Sequence, residues 1–408
     1  MSRMQRREFL SLGALAAGSA LLPARLSFAS APASDKSRLV VVILRGALDG
    51  LAAVPPLADP DYPRLRGELA LQAGPGGALP LDGFFALHPS LGFLHQSFQA
   101  RELIVFHAVA SPYRERSHFD GQDCLENGGV RAHAAQTGWL NRALAAKPGR
   151  AARETGVALG QNVPLLMRGP AAVTSWSPSR MPALDEDTLL RITDLYAGDK
   201  LLSLRLADAL AADAIAGEDS GAAMTPMQAP KPGQGGAARY AELVHAAAGF
   251  LRQQDGPQVA VFDTTGWDTH ANEGGAQGQL AGRLAALDAG LGSLKQQLGE
   301  VWNDTAVLLV TEFGRTAAIN GTRGTDHGTA AAVFLVGGAV AGGRVITRWP
   351  GLADRGLYQG RDLAPTTDLR SVLKGLLAEQ LRVSSRALET EVFPDSRGAR
   401  PLEGLLRG

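Results

Sequence analysis

The chain has 408 residues, 45% of them apolar and 20% charged, so it can bury a large core and extensive disorder is excluded. Lysine plus arginine equals aspartate plus glutamate at 40 each, which excludes the basic stripe of a nucleic-acid-binding protein. The single cysteine, Cys124, excludes an internal disulfide.

The chain opens with the pattern of an export signal. Arg6 and Arg7 form an adjacent pair, an apolar run rich in Gly and Ala follows over residues 12–22, and small residues come next. The paired arginines indicate the twin-arginine pathway. The apolar run is about half the roughly 20 residues that a membrane span needs. We therefore expect residues 1–33 to direct the chain to the periplasm, with the membrane contacted only through the export machinery.

Short, continuous apolar runs after the signal predict buried strands. They lie at 38–44, 102–107, 258–262, 306–311 and 332–336. Unbroken Val, Ile and Leu runs are typical of a parallel sheet that is covered on both faces. Residues 238–254 and 279–298 repeat apolar residues at three- and four-residue spacing, which predicts helices. The alternation of strands and helices predicts an α/β fold with a doubly wound sheet.

Two Gly- and Pro-rich stretches, near 60–90 and 215–236, interrupt this pattern. Neither has the character of a linker between independent domains. We interpret both as insertions into one domain that spans residues 34–408.

Polar clusters follow the predicted strands, where an open parallel sheet gathers its functional residues. They contain Arg45 and Asp49; Arg116, Ser117, His118 and Asp120; Asp268 and His270; Glu312 and Arg315; and Asp326 and His327. Each cluster also has a structural interpretation. Asp49 could cap a helix, Ser117 with Asp120 could form a capping box, and His118 could be a buried histidine. The chain has eight histidines, and the five outside these clusters are interpreted as structural.

Histidine nitrogen together with carboxylate oxygen suits zinc or manganese, whereas carboxylate-rich sites suit calcium or magnesium. A divalent ion would polarise a phosphoryl or sulfuryl oxygen and activate a hydroxyl or water nucleophile. Arg45, Arg116 and Arg315 could each hold an oxyanion. Ser117 is predicted to open a helix, where its hydroxyl and nearby N–H groups could face an anion.

Five segments together resemble a known family. They are 44–50, 116–120, 266–270, 311–315 and 324–328. Their order resembles the alkaline-phosphatase and sulfatase-like superfamily. More closely, the chain is similar to a family of twin-arginine-exported proteins within it, domain of unknown function 1501. The resemblance implies an alkaline-phosphatase-like three-layer α/β/α sandwich with a central, mostly parallel sheet.

The resemblance also implies roles for single residues. The implied metal ligands are Asp49, Asp268, His270, Glu312, Asp326 and His327. The candidate catalytic residues are Arg116, Ser117, His118 and Arg315, of which the resemblance places Ser117 near the position of the nucleophile. Phe313 stands where the superfamily has a histidine ligand, so one metal site is lost or rebuilt, and His118 could take the place of the nucleophile.

The function that we expect is an exported, metal-dependent hydrolase of small anionic phosphate or sulfate esters, with zinc as the first choice of metal. The alternative is a catalytically inactive binding or assembly protein with a partner in the cell envelope. Phe313 favours the alternative, because it removes a ligand. No nucleic-acid partner is expected.

Overall fold

The computed structural model describes residues 36–148, 155–178, 186–217 and 235–408. The predicted export signal, residues 1–33, lies outside the described residues, as does most of the predicted insertion at 215–236.

Strands form where the sequence has its apolar runs. The described strands are β1 (Arg38–Arg45), β2 (Leu79–Pro80), β3 (Ala86–Leu87), β4 (Leu103–Ala110), β5 (Gly156–Leu159), β6 (Val173–Trp176), β7 (Val259–Thr265), β8 (Thr305–Val310), β9 (Ala331–Val336), β10 (Arg344–Ile346) and β11 (Thr367–Asp368). The five predicted strands are confirmed as β1, β4, β7, β8 and β9, with ends that differ by a few residues. The short strands β5, β6, β10 and β11 were not predicted.

The main sheet runs in the order β10-β4-β9-β8-β1-β7-β5-β6, and β11 also pairs with β4. β1 is central and parallel to both of its neighbours, with Val41 opposite Val261 of β7 and Leu308 of β8. β9 alone among these described strands runs antiparallel to its neighbours, β4 and β8. The beginning of β9 therefore lies at the edge where the parallel strands end.

Helices lie on both faces of this sheet. They are α1 (Gly50–Ala53), α2 (Tyr62–Arg66), α3 (Gly92–Gln99), α4 (His118–Asn127), α5 (Trp139–Ala146), α6 (Glu186–Tyr196), α7 (Lys200–Gly217), α8 (Gly235–Arg252), α9 (Gln279–Leu298), α10 (Leu369–Leu381) and α11 (Ser385–Ala387). The predicted helix at 279–298 is confirmed as α9. The one predicted at 238–254 is confirmed as α8, displaced by a few residues.

Alternate residues of β1 face two separate cores, as the period of a strand requires. Val40, Val42 and Leu44 pack against apolar residues of α3, α8 and α9. Leu39 and Val41 pack against α4, α5 and α10 on the opposite face. The predicted arrangement of a mostly parallel sheet between two helical layers is thus confirmed.

The region near 60–90, predicted as an insertion, contains α2 and a small antiparallel hairpin of β2 and β3. Tyr62 of α2 is buried, and its hydroxyl accepts a hydrogen bond from the N–H of Leu71 at 3.1 Å. This packing places Arg66 of α2 beneath the carboxyl edge of the main sheet. Within the described residues, none of the helices combines the length and apolar character of a membrane span.

Candidate metal centre

Three candidate residues meet at the carboxyl edge of the sheet. Asp268 follows β7, His118 is the first residue of α4, and His327 lies just before β9. One donor atom from each lies within 4.8 Å of the other two. The Asp268 carboxylate is 3.4 Å from Nε2 of His118 through Oδ2 and 3.3 Å from Nε2 of His327 through Oδ1. These side chains form the core of a site that could hold a cation.

His270 extends the cluster toward solvent. Its Nε2 atom is 3.0 Å from Oδ1 of Asp268 and 2.9 Å from Nε2 of His327. Asp268 and His270 have side chains that are 40% and 44% exposed, whereas those of His118 and His327 are 23% and 27% exposed. The cluster is therefore open on the side of Asp268 and His270.

The orientation of each imidazole is fixed by an acceptor at Nδ1. His118 donates to Oε1 of Glu312 at 2.8 Å, His270 to Oδ1 of Asp326 at 3.1 Å, and His327 to the carbonyl oxygen of Arg116 at 2.9 Å. Each ring therefore turns its Nε2 lone pair toward Asp268. Nε2 of His118 is buried and has no hydrogen-bond partner. Metal-ligating histidines typically have this arrangement, in which Nδ1–H donates to an outer acceptor and Nε2 faces the metal.

The contact between His270 and His327 strengthens this interpretation. Two Nε2 lone pairs that face each other at 2.9 Å repel unless a proton or a cation lies between them, because both Nδ1 protons already have acceptors.

The charges within the cluster compensate one another. Burial alone would raise the pKa of Asp268, but the hydrogen bond and charge of Arg315 outweigh burial and lower this pKa. The hydrogen bond to Glu312 raises the pKa of His118 against the effect of burial. Burial lowers the pKa of His327, and positive charge on the neighbouring His118 lowers it further. Asp268 is thus ionised at neutral pH.

Glu312 supports the cluster and is separate from the group of donor atoms. Its Oε1 accepts hydrogen bonds from His118, from the N–H of Gly46 at 2.9 Å and from Gln122 at 3.1 Å. Burial alone would raise the pKa of Glu312, but the hydrogen bonds, first that of His118, lower it. The ring of Phe313 stacks on His118 with centroids 5.1 Å apart, so this residue forms an apolar wall beside the cluster.

Asp49, implied as a ligand by the resemblance, does not join the cluster. Its Oδ1 accepts from the N–H groups of Leu51 and Ala52 at 2.9 and 3.1 Å, and its Oδ2 accepts from Arg66 at 2.6 Å. Asp49 thus caps α1 and neutralises a buried arginine. Among the described hydrogen bonds, Asp326 contacts the cluster through His270.

The three candidate arginines all pair with carboxylates. Their partners are Glu126 and Asp263 for Arg45, Asp362 for Arg116, and Asp268 for Arg315. Their guanidinium groups therefore position other residues. Ser117 is the N-cap residue of α4, but its side chain makes no capping hydrogen bond. Asp120 has no capping contact to Ser117 among the described hydrogen bonds, so the contacts do not show the capping box considered above.

A cavity of about 760 Å³ lies on the other side of Trp267, the residue before Asp268. It is lined by the end of β7 and by the first turns of α8 and α9, including Arg239, Tyr240 and Arg283. Its size is in the range of sites for small organic ligands.

Sequence reasoning missed two buried residues beside the site, Arg66 and Glu273, both 0% exposed. Glu273 comes only three residues after His270, but nothing in its local sequence distinguishes it from an exposed loop glutamate. Arg66 lies far along the chain from the cluster residues, about 50 residues before His118 and about 200 or more before the other three.

A family model described as a protein of unknown function, DUF1501, matches residues 88–392. The chain belongs to the DUF1501 family. No curated protein matches this family member.

Several solved structures are similar to this DUF1501 protein at low sequence identity. Ps i-CgsB in complex with k-i-k-neocarrahexaose has 10% identity and a TM-score of 0.38, covering 90% of this chain and 77% of that chain. The phosphonate monoester hydrolase of Agrobacterium radiobacter has 11% identity and a TM-score of 0.37, and the match covers 85% of this chain and 74% of that chain. The lipoteichoic acid synthase LtaP of Listeria monocytogenes has 9% identity and a TM-score of 0.33, and the match covers 91% of this chain and 79% of that chain.

Proposed function

We propose that this chain is an exported, divalent-metal-dependent hydrolase of phosphate or sulfate esters in the alkaline-phosphatase-like superfamily. The observation that carries the proposal is the convergence of three Nε2 atoms, from His118, His270 and His327, on the carboxylate of Asp268. The convergence lies at a solvent-open edge of the sheet, where a substrate can reach it.

The donor set fits a divalent cation. Three imidazoles and one carboxylate suit zinc or manganese better than calcium or magnesium, which prefer oxygen ligands. The orphaned Nε2 of His118 and the opposed nitrogens of His270 and His327 would all be satisfied by one ion. Such an ion would supply Lewis-acid polarisation of an ester oxygen and acidify a bound hydroxyl or water.

The protein contributes a second anion-binding element beside this cluster. α4 begins at His118, and the side chain of Ser117 leaves the first N–H groups of the helix without a cap. Free N–H groups and the helix dipole favour a negatively charged ligand at this end. The Ser117 hydroxyl is the nucleophile candidate at this position. Because the three candidate arginines are already paired, we assign binding of the anionic group to the helix terminus.

The cavity beyond Trp267 would accept the organic part of the ester. Arg239 and Arg283 line this cavity and offer positive charge to an anionic substrate. This arrangement favours a substrate that is larger than inorganic phosphate or sulfate.

A second candidate function is a binding protein that holds one ion without turnover. It is favoured by Phe313 and by a set of four protein donors, because closed four-ligand sites are typical of structural metals. Metal content alone does not separate the two functions, whereas ester hydrolysis does.

The first test is elemental analysis of the exported protein purified without chelators. We expect about one equivalent of a divalent metal per chain, lost in His270→Ala and His327→Ala. His245→Ala is the matched control, because this histidine of α8 bonds Gln297 of α9 and is not part of the cluster. A folded wild-type protein that takes up no zinc, manganese, calcium or magnesium would refute the metal-dependent hydrolase.

The second test is hydrolysis of nitrophenyl phosphate mono- and diesters and sulfate esters by the metal-loaded protein. Turnover that is lost in His327→Ala and retained in His245→Ala supports the hydrolase. Full metal occupancy with no turnover of any ester supports the binding protein.

Export is part of the proposal and rests on Arg6 and Arg7. We expect Arg6→Lys with Arg7→Lys to hold the folded chain in the cytoplasm. Cell fractionation measures this, and an unchanged periplasmic fraction would exclude the twin-arginine route.

A further inference from the structure

A buried carboxylate, Glu273, lies directly beneath the metal centre. It is 0% exposed, and it belongs to the loop after β7 that also carries Asp268 and His270. It contacts none of the four proposed ligands through its side chain. The proposed function gives it no part.

Glu273 accepts hydrogen bonds from two threonine hydroxyls. Its Oε2 accepts from Oγ1 of Thr269 at 3.0 Å and from Oγ1 of Thr325 at 2.8 Å. Thr325 Oγ1 also accepts from Nε of Arg315 at 3.0 Å. Since Arg315 can only donate, the single hydroxyl proton of Thr325 must point to Glu273. The direction of the chain is therefore fixed, from Arg315 through Thr325 to Glu273.

Arg315 transmits this constraint to the metal centre. Its Nη2 donates to the carbonyl oxygen of Thr325 at 2.8 Å, and its Nη1 donates to Oδ1 of Asp268 at 2.7 Å. Arg315 is 2% exposed, and each of its three guanidinium nitrogens has a hydrogen-bond acceptor. Since the guanidinium is planar and rigid, fixing Nε and Nη2 also fixes Nη1 and the Asp268 oxygen that it binds.

The surroundings of Glu273 favour a hydrogen-bonding role over a charged one. Arg66 is already neutralised by Asp49 at 2.6 Å, and it lies 3.6 Å from Oε1 of Glu273. Burial, and then the charge of Asp49, raise the pKa of Glu273 to about 8. Glutamine is therefore a close mimic at this position, with an oxygen that can accept both threonine hydroxyls.

We propose that Glu273 is a positioning residue, which holds the Asp268 carboxylate in place through Thr325 and Arg315. The consequence for metal binding rests on the proposed function, whereas the positioning of Arg315 does not. Outer groups that orient ligands typically contribute about 10- to 100-fold to metal affinity.

The experiment measures the affinity for Mn²⁺ alone, by calorimetry, in Glu273→Ala, Glu273→Gln and Thr325→Val. We expect affinity to fall about tenfold or more in Glu273→Ala and in Thr325→Val, which breaks the chain without removing the carboxylate. Glu273→Gln is expected to stay within about threefold of the wild type. If Glu273→Ala does not fold, Thr325→Val alone tests whether breaking the chain of hydrogen bonds lowers Mn²⁺ affinity.

Asp288→Ala is the matched control. Asp288 is also a buried carboxylate, but it accepts from the N–H groups of Phe93 and Leu94 and is remote from the metal centre. We expect it to lower stability without changing Mn²⁺ affinity.

A second readout needs no metal. In the metal-free protein, solvent exchange of the Arg315 Nε–H proton, followed by NMR, is expected to be slow in the wild type and Glu273→Gln and fast in Thr325→Val. If the wild type binds no Mn²⁺ but this exchange pattern holds, the proposed function fails and the positioning role stands. The positioning role would be overturned if a folded Glu273→Ala or Thr325→Val variant kept both the wild-type exchange of Arg315 Nε–H and the wild-type Mn²⁺ affinity. It would also be overturned if Glu273→Gln lost as much Mn²⁺ affinity as Glu273→Ala.

Discussion

Each imidazole of the candidate metal centre is oriented by a different kind of acceptor. His118 is held by the buried Glu312, His270 by the exposed Asp326, and His327 by a backbone carbonyl. A hydrogen bond in a buried setting is weakened less by competing water than one at the surface. The three anchors therefore differ in strength.

We expect Glu312→Ala to weaken metal affinity by about 10- to 100-fold, and more than Asp326→Ala does. Glu312 is fully buried and also holds Gly46 and Gln122, whereas the side chain of Asp326 is 54% exposed. Metal titration of both variants checks the order, and a larger effect of Asp326→Ala would contradict it.

His107 allows a pH prediction outside the metal centre. It is buried in β4, donates from Nε2 to the carbonyl oxygen of Val54 and accepts at Nδ1 from the N–H of Ala108. Burial lowers the pKa of His107 to about 4 from its usual 6.5. The folded protein thus favours the neutral form of His107. The contribution of this preference to the free energy of unfolding is complete above pH 6.5 and is lost as pH falls toward 4.

Protonation of His107 as pH falls from 6.5 to 4 should lower the free energy of unfolding by up to about 3 kcal/mol. In His107→Gln, which does not titrate, we expect the decline over this interval to be shallower by that amount. Urea unfolding at a series of pH values measures both slopes. Parallel slopes would show that His107 is protonated freely in the folded state.

At the scale of elements, the packing of α4 on the end of β8 sets the position of His118. A Cβ atom on Gly121 would lie 2.9 Å from Cδ1 and Cε1 of Phe313, whose ring stacks on His118. Any side chain at this position must displace either α4 or the ring.

Gly121→Ala is therefore expected to destabilise the fold by about 1–3 kcal/mol and to weaken metal binding, although alanine favours helices. Gly282→Ala in α9 is the control, because its Cβ meets no atom within 4 Å, and it should be neutral or slightly stabilising. Thermal unfolding and metal titration of both variants test this, and equal behaviour would contradict the packing argument.

At the scale of the whole molecule, metal binding should stabilise the fold as well as the site. The proposed ligands come from α4, from the loop after β7 and from the turn before β9, so an ion would join segments that are distant in sequence. At 100 times the dissociation constant, a ligand adds about 2.7 kcal/mol. We expect zinc or manganese to raise the unfolding temperature and a chelator to reverse this. In His270→Ala the shift should shrink or vanish, and a full shift there would exclude His270 as a ligand.

Much of this molecule could be predicted from its sequence, because buried parallel strands have a continuous apolar signature. β1, β7 and β8 were found in this way, and their ends correctly indicated where Asp268 would lie. The short strands β5 and β6 were missed, since four residues carry too little pattern. The antiparallel direction of β9 has no local signal, yet it brings His327 to the same edge.

The candidate site was harder to predict than the fold. His118, Asp268, His270 and His327 were named as candidates, and the structure brings them together. Asp49 and Glu312 have the same residue chemistry, and their sequence context resembles that of ligands. Only tertiary contacts, with Arg66 for Asp49 and with His118 for Glu312, show that they face other partners.

The central place of β1 has a consequence for synthesis. Its partner β7 emerges from the ribosome roughly 220 residues later, which at about 5–20 residues per second is roughly 10–45 s. During this time an apolar strand with two open edges waits without a partner, and such edges are prone to aggregation. The central sheet of this protein can therefore assemble only after β7 and β8 are made, and the nascent chain is exposed to aggregation until that moment.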